Sequence, residues 1–326
     1  MTSERGMIEI LRRGFAPVNE DIAEFARWHL ASGDVDPAYP VLRRLVPADA
    51  EQALRFVFLY VAYYNLPSAL GAWSRGVFTE PGRLPDETVA KFPTGTERRG
   101  HRSPEKLIAH LADLDKIAEQ HGGLVPWLRE AFPSGGLSEG ANWRSIQTDL
   151  RTVRGNGRWA AYKTGEILGT VLGWRLEPTD AGHDFSTGPR KGLADCYPEP
   201  ADLSGFQPHV VSALDVHTRD LARWFVDKVG AHVPVEQVET ILCDWHSVVN
   251  GGYYVGHDID LMLEQINRAV ERGVIDSETA DRLLEIRARE FDHRWLGEIK
   301  GWDGVRRPLK RYYREHQIIR WWDWYP

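Results

Sequence analysis

Cysteine is scarce, with Cys196 and Cys243 the only two in 326 residues. That rules out a disulfide framework and a zinc site built from cysteine alone, and it fits a reducing compartment. Long apolar runs are also missing: no stretch reaches the roughly 18 uncharged residues that a membrane span needs. The first residues, Met1-Thr-Ser-Glu-Arg-Gly6, hold no apolar signal core. Positive charge is not in excess. Forty Lys and Arg face forty-seven Asp and Glu, a net charge of −7, so no global field draws the chain to DNA or to anionic lipid. Any nucleic-acid surface must come from local basic patches. Alternating strand patterns, internal repeats and low-complexity tracts are absent as well. The expectation is a cytoplasmic chain that engages no membrane.

What is present is enough for a large core: 42% of residues are hydrophobic, and 27% charged argues against disorder. Apolar residues recur at helical spacing over 17–31, 51–65, 104–121, 212–229, 235–248, 260–272 and 277–295. The fold class expected is all-α. An N-terminal helical part over 1–130 and a second part over 131–326 would pack as one globular unit. The 79–104 and 177–207 stretches read as long irregular segments, with Ser103 capping a helix that has Pro104 at its first position. Thirteen tryptophans are mostly core residues by default.

Four constellations stand out. Val153, Gly155 and Gly157 form a tight turn between two helical runs, followed by Arg158, Ala161 and Lys163. Glycines there permit positive φ and a close backbone approach, and the N–H groups of the next helix would face a phosphate. The pattern resembles the helix-hairpin-helix element of DNA glycosylases, with Asp180 near the place where those enzymes keep a catalytic carboxylate. The bland alternative is a helix cap followed by a new helix. Second, Ser186-Thr-Gly-Pro-Arg-Lys-Gly192 sets Arg190 and Lys191 between glycines, a phosphate clamp or else a solvated loop. It lacks the spacing of a P-loop.

Third, Cys243 to Asp260 gathers His246, Tyr253, Tyr254, His257, Asp258 and Asp260. Imidazole and carboxylate together supply acid–base chemistry or ligands for a divalent metal, although Asp258 alone is explained as a helix N-cap. Fourth, Tyr60, Tyr63, Tyr64 and Asn65 cluster at one helix end, where core packing is the default. Two basic segments complete the set: Arg98, Arg99, Arg102 and Lys106, and then 300–314 with interleaved aromatics, either solvated faces or nucleic-acid contacts.

Taken together, Phe58 to Asn65, the Gly155/Gly157 hairpin, Ser186 to Leu193 and Tyr253 to Asp260 resemble the phage alpha-glutamyl/putrescinyl-thymine pyrophosphorylases, or amino acid:DNA transferases. The resemblance spans about residue 20 to 300. It implies a repurposed glycosylase-type helical fold in an infected bacterial host. There an amine or amino acid displaces pyrophosphate from a 5-pyrophosphoryloxymethyl pyrimidine in double-stranded DNA. On that footing Arg190 and Lys191, with a Mg2+ ion on Asp258 and Asp260, would stabilise pyrophosphate. His257, His246 or Asp184 would take the amine's proton. Tyr64, Asn65, Tyr253 and Tyr254 would hold the extruded base. DNA contacts would fall to Gly155, Gly157, Arg158, Lys163, Arg98, Arg99 and Arg102. The alternatives are a base-excising glycosylase using Asp180 or Asp184, and a DNA-binding protein without catalysis.

Overall fold

A computed structural model describes residues 20–132, 138–196, 208–292 and 295–296. The basic segment 300–314 and the side chain of Arg99 lie outside the described residues. Among the described residues, fourteen α-helices and one 3-10 helix make up the regular structure and no strand occurs, as the helical periodicity requires. The chain folds into two compact units, neither of which breaks near residue 130. Of the described residues, the first contains those up to Pro37, those within Asp180–Asp260 and those from Phe291; the second contains those within Ala38–Thr179 and Leu261–Glu290.

In the second unit, α3 (Ala50–Tyr63) is the spine. Every residue from Ala53 to Tyr63 is buried, so the helix faces protein all round. Asp49 caps it by accepting Gln52 N–H at 2.9 Å, and it ends at Tyr64, forced to φ 46°. Asn65 then caps α4 (Leu66–Ser74), its side chain accepting Ser68 N–H at 3.1 Å. That cap accounts for Asn65 structurally, with its side chain turned onto its own backbone. Arg55, buried on α3, pairs with Asp115 at 2.9 Å on α6 (Pro104–His121). Each Leu or Phe sealed in this core contributes roughly 1.5–3 kcal/mol.

Two other helices of this unit frame the glycine turn, α8 (Glu139–Leu150) and α9 (Arg158–Thr170). Before α6, the supposed loop contains a short α5 (Glu87–Ala90) and the 3-10 helix Thr96–Arg102. Ser103 makes no side-chain cap to α6; its hydroxyl donates to Glu105 instead, while Pro104 does open the helix. The unit also contains α2 (Ala38–Leu45). The remaining helix before the turn is α7 (Leu124–Glu130).

The first unit is built around α12 (Val235–Val249). Against it lie α1 (Asp21–Ser32), α11 (Pro208–Val229) and α10 (Gly188–Asp195), the last formed inside the segment read as irregular. Backbone meets backbone here: a Cβ on Gly192 would stand 1.8 Å from the Leu242 carbonyl oxygen, and one on Gly188 2.5 Å from Cys243 Sγ. The chain then enters α13 (His257–Glu271), which begins in the first unit and continues in the second, before α14 (Ser277–Glu290).

Candidate functional site

In the first unit a group of carboxylates closes around two imidazoles. Helix α1 ends at Gly33, whose φ of 74° turns the chain so that Asp34 faces inward with no exposure. Asp34 accepts four hydrogen bonds: from Tyr253 Oη at 2.7 Å and Gly256 N at 2.6 Å, and from Asp258 N at 3.1 Å and Ile259 N at 3.0 Å. It therefore caps α13 from a distant part of the chain and satisfies donors that a helix start leaves open. The cap role expected of Asp258 belongs to Asp34, and that leaves the Asp258 carboxylate free for other partners.

Behind Asp34 stands His29, fully buried on α1, its Nε2 3.0 Å from Asp244 Oδ2 and its Nδ1 3.7 Å from Asp34 Oδ2. Phe25 stacks on His29 at 4.9 Å and Tyr253 meets it edge-on at 5.6 Å, fixing the ring. Asp36 joins at φ 50°, a conformation that a residue with a side chain seldom adopts, and its carboxylate accepts the Thr240 hydroxyl at 3.0 Å. At the open side, His257 Nδ1 lies 2.9 Å from Asp258 Oδ1. Side-chain exposure is zero at Asp34, 14% at Asp244 and 38% at Asp258, so the last two are the members that meet solvent.

Charge sets the character of this pocket. Burial pushes Asp34 up to about 6, and His29 with its hydrogen-bond donors pulls against that rise. Burial, then the neighbouring Asp258, Asp36 and Glu239, hold Asp244 well above the usual carboxylate range. Burial also keeps His29 neutral by lowering its proton affinity. Among the described residues, no lysine or arginine lies within ion-pair distance of Asp34, Asp244 or Asp258. The cluster is thus a partly desolvated group of carboxylates that a cation would stabilise.

The neighbouring residues sort differently from the sequence expectation. Tyr253 is 5% and Tyr254 6% exposed, with the Tyr254 hydroxyl on Asp260 at 2.9 Å, so both are walls of the pocket and not an open clamp for a base. Asp258 and Asp260 are drawn to different partners, His257 and Tyr254. No group of three or more His, Cys, Asp or Glu side chains among the described residues is arranged to hold a metal ion. The residues present do not fit a Mg2+ site. His246 sits two residues after Asp244, about 200° around the helix, and its Nδ1 pairs with Asp195 Oδ2 at 2.7 Å.

Arg190 is also turned inward, 2% exposed and donating from Nη1 to the His183 carbonyl at 3.0 Å, whereas Lys191 is exposed. His183 bonds Thr218 Oγ1 at 2.7 Å, and burial lowers it to about 3. Asp180 accepts Gly182 N–H at 2.9 Å as a local turn. Beside it Asp215, unmarked by any sequence motif, is raised to about 7 by burial, then by Asp180 and, further down the order of causes, by Asp184.

The second unit carries the glycine turn. Gly155 has φ 83°, and a Cβ there would stand 3.1 Å from His101 Nε2. Gly157 is extended, φ −72° and ψ 178°, with open space where a Cβ would go, so only the first glycine is required by conformation. Arg151, Arg154 and Arg158 are exposed around the turn, and Arg102 is exposed on the 3-10 helix. Lys163 is not: it is 6% exposed and paired with Glu166 at 2.8 Å, so it reaches no external ligand. Arg98 is likewise buried at 6%, behind the turn and not on its surface. Tyr64 is half-buried, edge-on to Trp159 at 4.7 Å.

A family model described as amino acid:DNA transferase matches residues 30–253. A glycinyltransferase of Pseudomonas phage PaMx11 is 26% identical over 263 residues, which cover 73% of this chain and 87% of that protein.

Proposed function

The chain belongs to the amino acid:DNA transferase family, and from that membership we propose that it modifies phage DNA by replacing pyrophosphate on a 5-pyrophosphoryloxymethyl pyrimidine with an amine. The observation that carries this reading is the anionic pocket of Asp34, Asp244 and Asp258, which has no lysine or arginine partner among the described residues. At neutral pH an amino acid or polyamine arrives as an ammonium cation. Asp244 and Asp258, at the open side, receive it, and Asp34 holds the first turn of α13, which carries Asp258.

An ammonium has no lone pair, so it must lose a proton before attack. Asp244 takes it; burial and the neighbouring carboxylates raise its proton affinity above that of an ordinary aspartate, which makes its carboxylate the stronger base. The nitrogen lone pair then forms the C–N bond to the 5-methylene carbon. The C–O bond breaks, and its electron pair leaves with pyrophosphate. Lys191, exposed at the start of α10, supplies positive charge to the leaving group. Glycine, the amino acid in the name of the phage relative, is the first co-substrate to try.

The test is a duplex carrying 5-pyrophosphoryloxymethyl-deoxyuridine, incubated with glycine or putrescine and digested to nucleosides for mass spectrometry. The expected product carries the amine on the 5-methylene carbon, with pyrophosphate released in equal amount. An abasic product would assign the chain to base excision, and an unchanged nucleoside pool would leave it a binding role only.

A further inference from the structure

Of the residues in the carboxylate cluster, His29 is the one that the proposed reaction leaves unused. It lies on α1 with no exposure. The titratable groups that face it and Asp244 come from three elements: Asp34 and Asp36 just beyond α1, Glu239 on α12, and His257 and Asp258 at the start of α13. Its two ring nitrogens are placed differently. Nε2 is 3.0 Å from Asp244 Oδ2. Nδ1 is buried and has no hydrogen-bond partner among the described residues, with Asp34 Oδ2 out of range at 3.7 Å. Burial keeps the ring neutral, so it carries a single N–H. On Nδ1 that hydrogen would have no partner, and the Nε2 lone pair would stand against a carboxylate oxygen. On Nε2 it makes the one hydrogen bond that the ring's surroundings offer. The ring is therefore the Nε2–H tautomer, donating to Asp244.

Packing holds the ring in place. Phe25 lies nearly parallel to it, 19° between planes, and Tyr253 meets it at 86°. Phe25 in turn rests against Trp245, the chain neighbour of Asp244, at 5.7 Å. Packing alone does not explain an imidazole here, because an apolar ring would fill the same space without leaving a buried nitrogen unsatisfied. What histidine adds is an N–H at a fixed point beside Asp244. That donor occupies Oδ2. Asp244 Oδ1 has no hydrogen-bond partner among the described residues, and the side chain is 14% exposed, so the second oxygen is the one left for a ligand.

We propose that His29 is a positioning residue for the proton transfer: by holding Oδ2 it presents Oδ1 of Asp244 to the incoming ammonium and favours the ionised carboxylate that accepts the proton. The N–H bond of the ammonium breaks, an O–H bond forms at Oδ1, and His29 keeps its own proton throughout. The inference rests on the proposed function, in which Asp244 is the base.

The experiment compares the full-length protein with H29Q and H29N, which separate the position of the donor from its bulk. A glutamine amide places an N–H where Nε2 stands, whereas the shorter asparagine amide reaches only the position of Nδ1. Amine transfer is followed at saturating DNA and amine across a pH series. H29N should lower kcat about tenfold or more, leave the KM for DNA unchanged, and move the acid limb of the kcat profile to higher pH. The sign follows from the lost donor: a hydrogen bond to the carboxylate favours its charged form, so without it Asp244 holds its proton to higher pH. H29Q should restore both the rate and the limb. Equal losses in the two variants with the limb in place would mean packing alone and overturn the proposal, as would wild-type kcat and limb in H29N. If H29N fails to fold by circular dichroism, the wild type decides. Proton–nitrogen correlation spectra of its histidine rings, with His29 assigned by its absence from H29Q, should find the proton on Nε2, and a proton on Nδ1 overturns the proposal. No transfer by the wild type with any amine overturns the proposed function and this role with it; transfer by the wild type with H29N unaffected overturns the inference alone.

Discussion

The two units solve the same physical problem with opposite signs. In the first, Asp34 is buried and Asp244 mostly so, and among the described residues no lysine or arginine lies beside them or beside Asp258 at the open side; His29 is held neutral. In the second, Arg98 is buried without a carboxylate while His101 and His110 are held neutral. A stability-driven core would neutralise each, as Arg55–Asp115 and Lys163–Glu166 do. Uncompensated buried charge costs stability and is retained where a ligand of opposite sign completes it. On the proposed function, an incoming ammonium would complete the first site.

The comparison breaks most sharply at Asp244. Asp244→Asn keeps the shape and removes the proton acceptor, so turnover falls by at least about 100-fold. Steady-state kinetics with amine and modified DNA measure it, and turnover within tenfold of wild type would remove Asp244 from the chemistry. A smaller effect separates the glycines. Gly155→Val forces a branched side chain into φ 83° against His101, costing about 1–3 kcal/mol of stability and weakening DNA binding. Gly157→Ala meets open space and leaves both unchanged. Chemical denaturation and anisotropy on the pair check this, and equal losses at both positions would contradict it.

The smallest effect expected is a difference in pH response. His101 and His110 are lowered to about 4 and about 3, so the unfolded chain binds their protons first as pH falls. Their contribution is complete above about pH 6.5, the unfolded histidine value, and declines as pH falls toward 4. Asp34, raised to about 6, behaves oppositely: its contribution is complete below about pH 3.9, the unfolded aspartate value, and is lost as pH rises through 6. Hydrogen exchange at pH 5 and 7, corrected for intrinsic rates, should show 98–113 better protected at the higher pH and 253–259 at the lower. Parallel changes in the two segments would rule out the opposed charges as their cause.

The helices were legible because apolar periodicity survives in α3, α6, α12 and α14, and the Tyr253–Asp260 cluster was legible because its members are neighbours in sequence. The other half of the pocket was not. His29, Asp34 and Asp36 lie more than 200 residues from their partners, in a stretch whose Asp and Pro content says only that the chain turns. No local pattern announces that a carboxylate will cap a helix so far away. Arg98 and Lys163 looked like surface cations because charge in a sequence carries no sign of burial; for Lys163 the hint was Glu166, three residues on. Helix α10 went unread because eight residues with two glycines show little periodicity, and those glycines serve packing against α12.

The central claim is that the Asp244–Asp258 pocket recognises its co-substrate as a cation. Inhibition of amine transfer by methylamine and by acetate, each varied against glycine at saturating DNA, tests it most directly. The account predicts that methylamine competes with glycine, that acetate does not, and that Asp258→Asn weakens the competition by methylamine. Competition by acetate as effective as that by methylamine, or methylamine inhibition unaffected by Asp258→Asn, would contradict it.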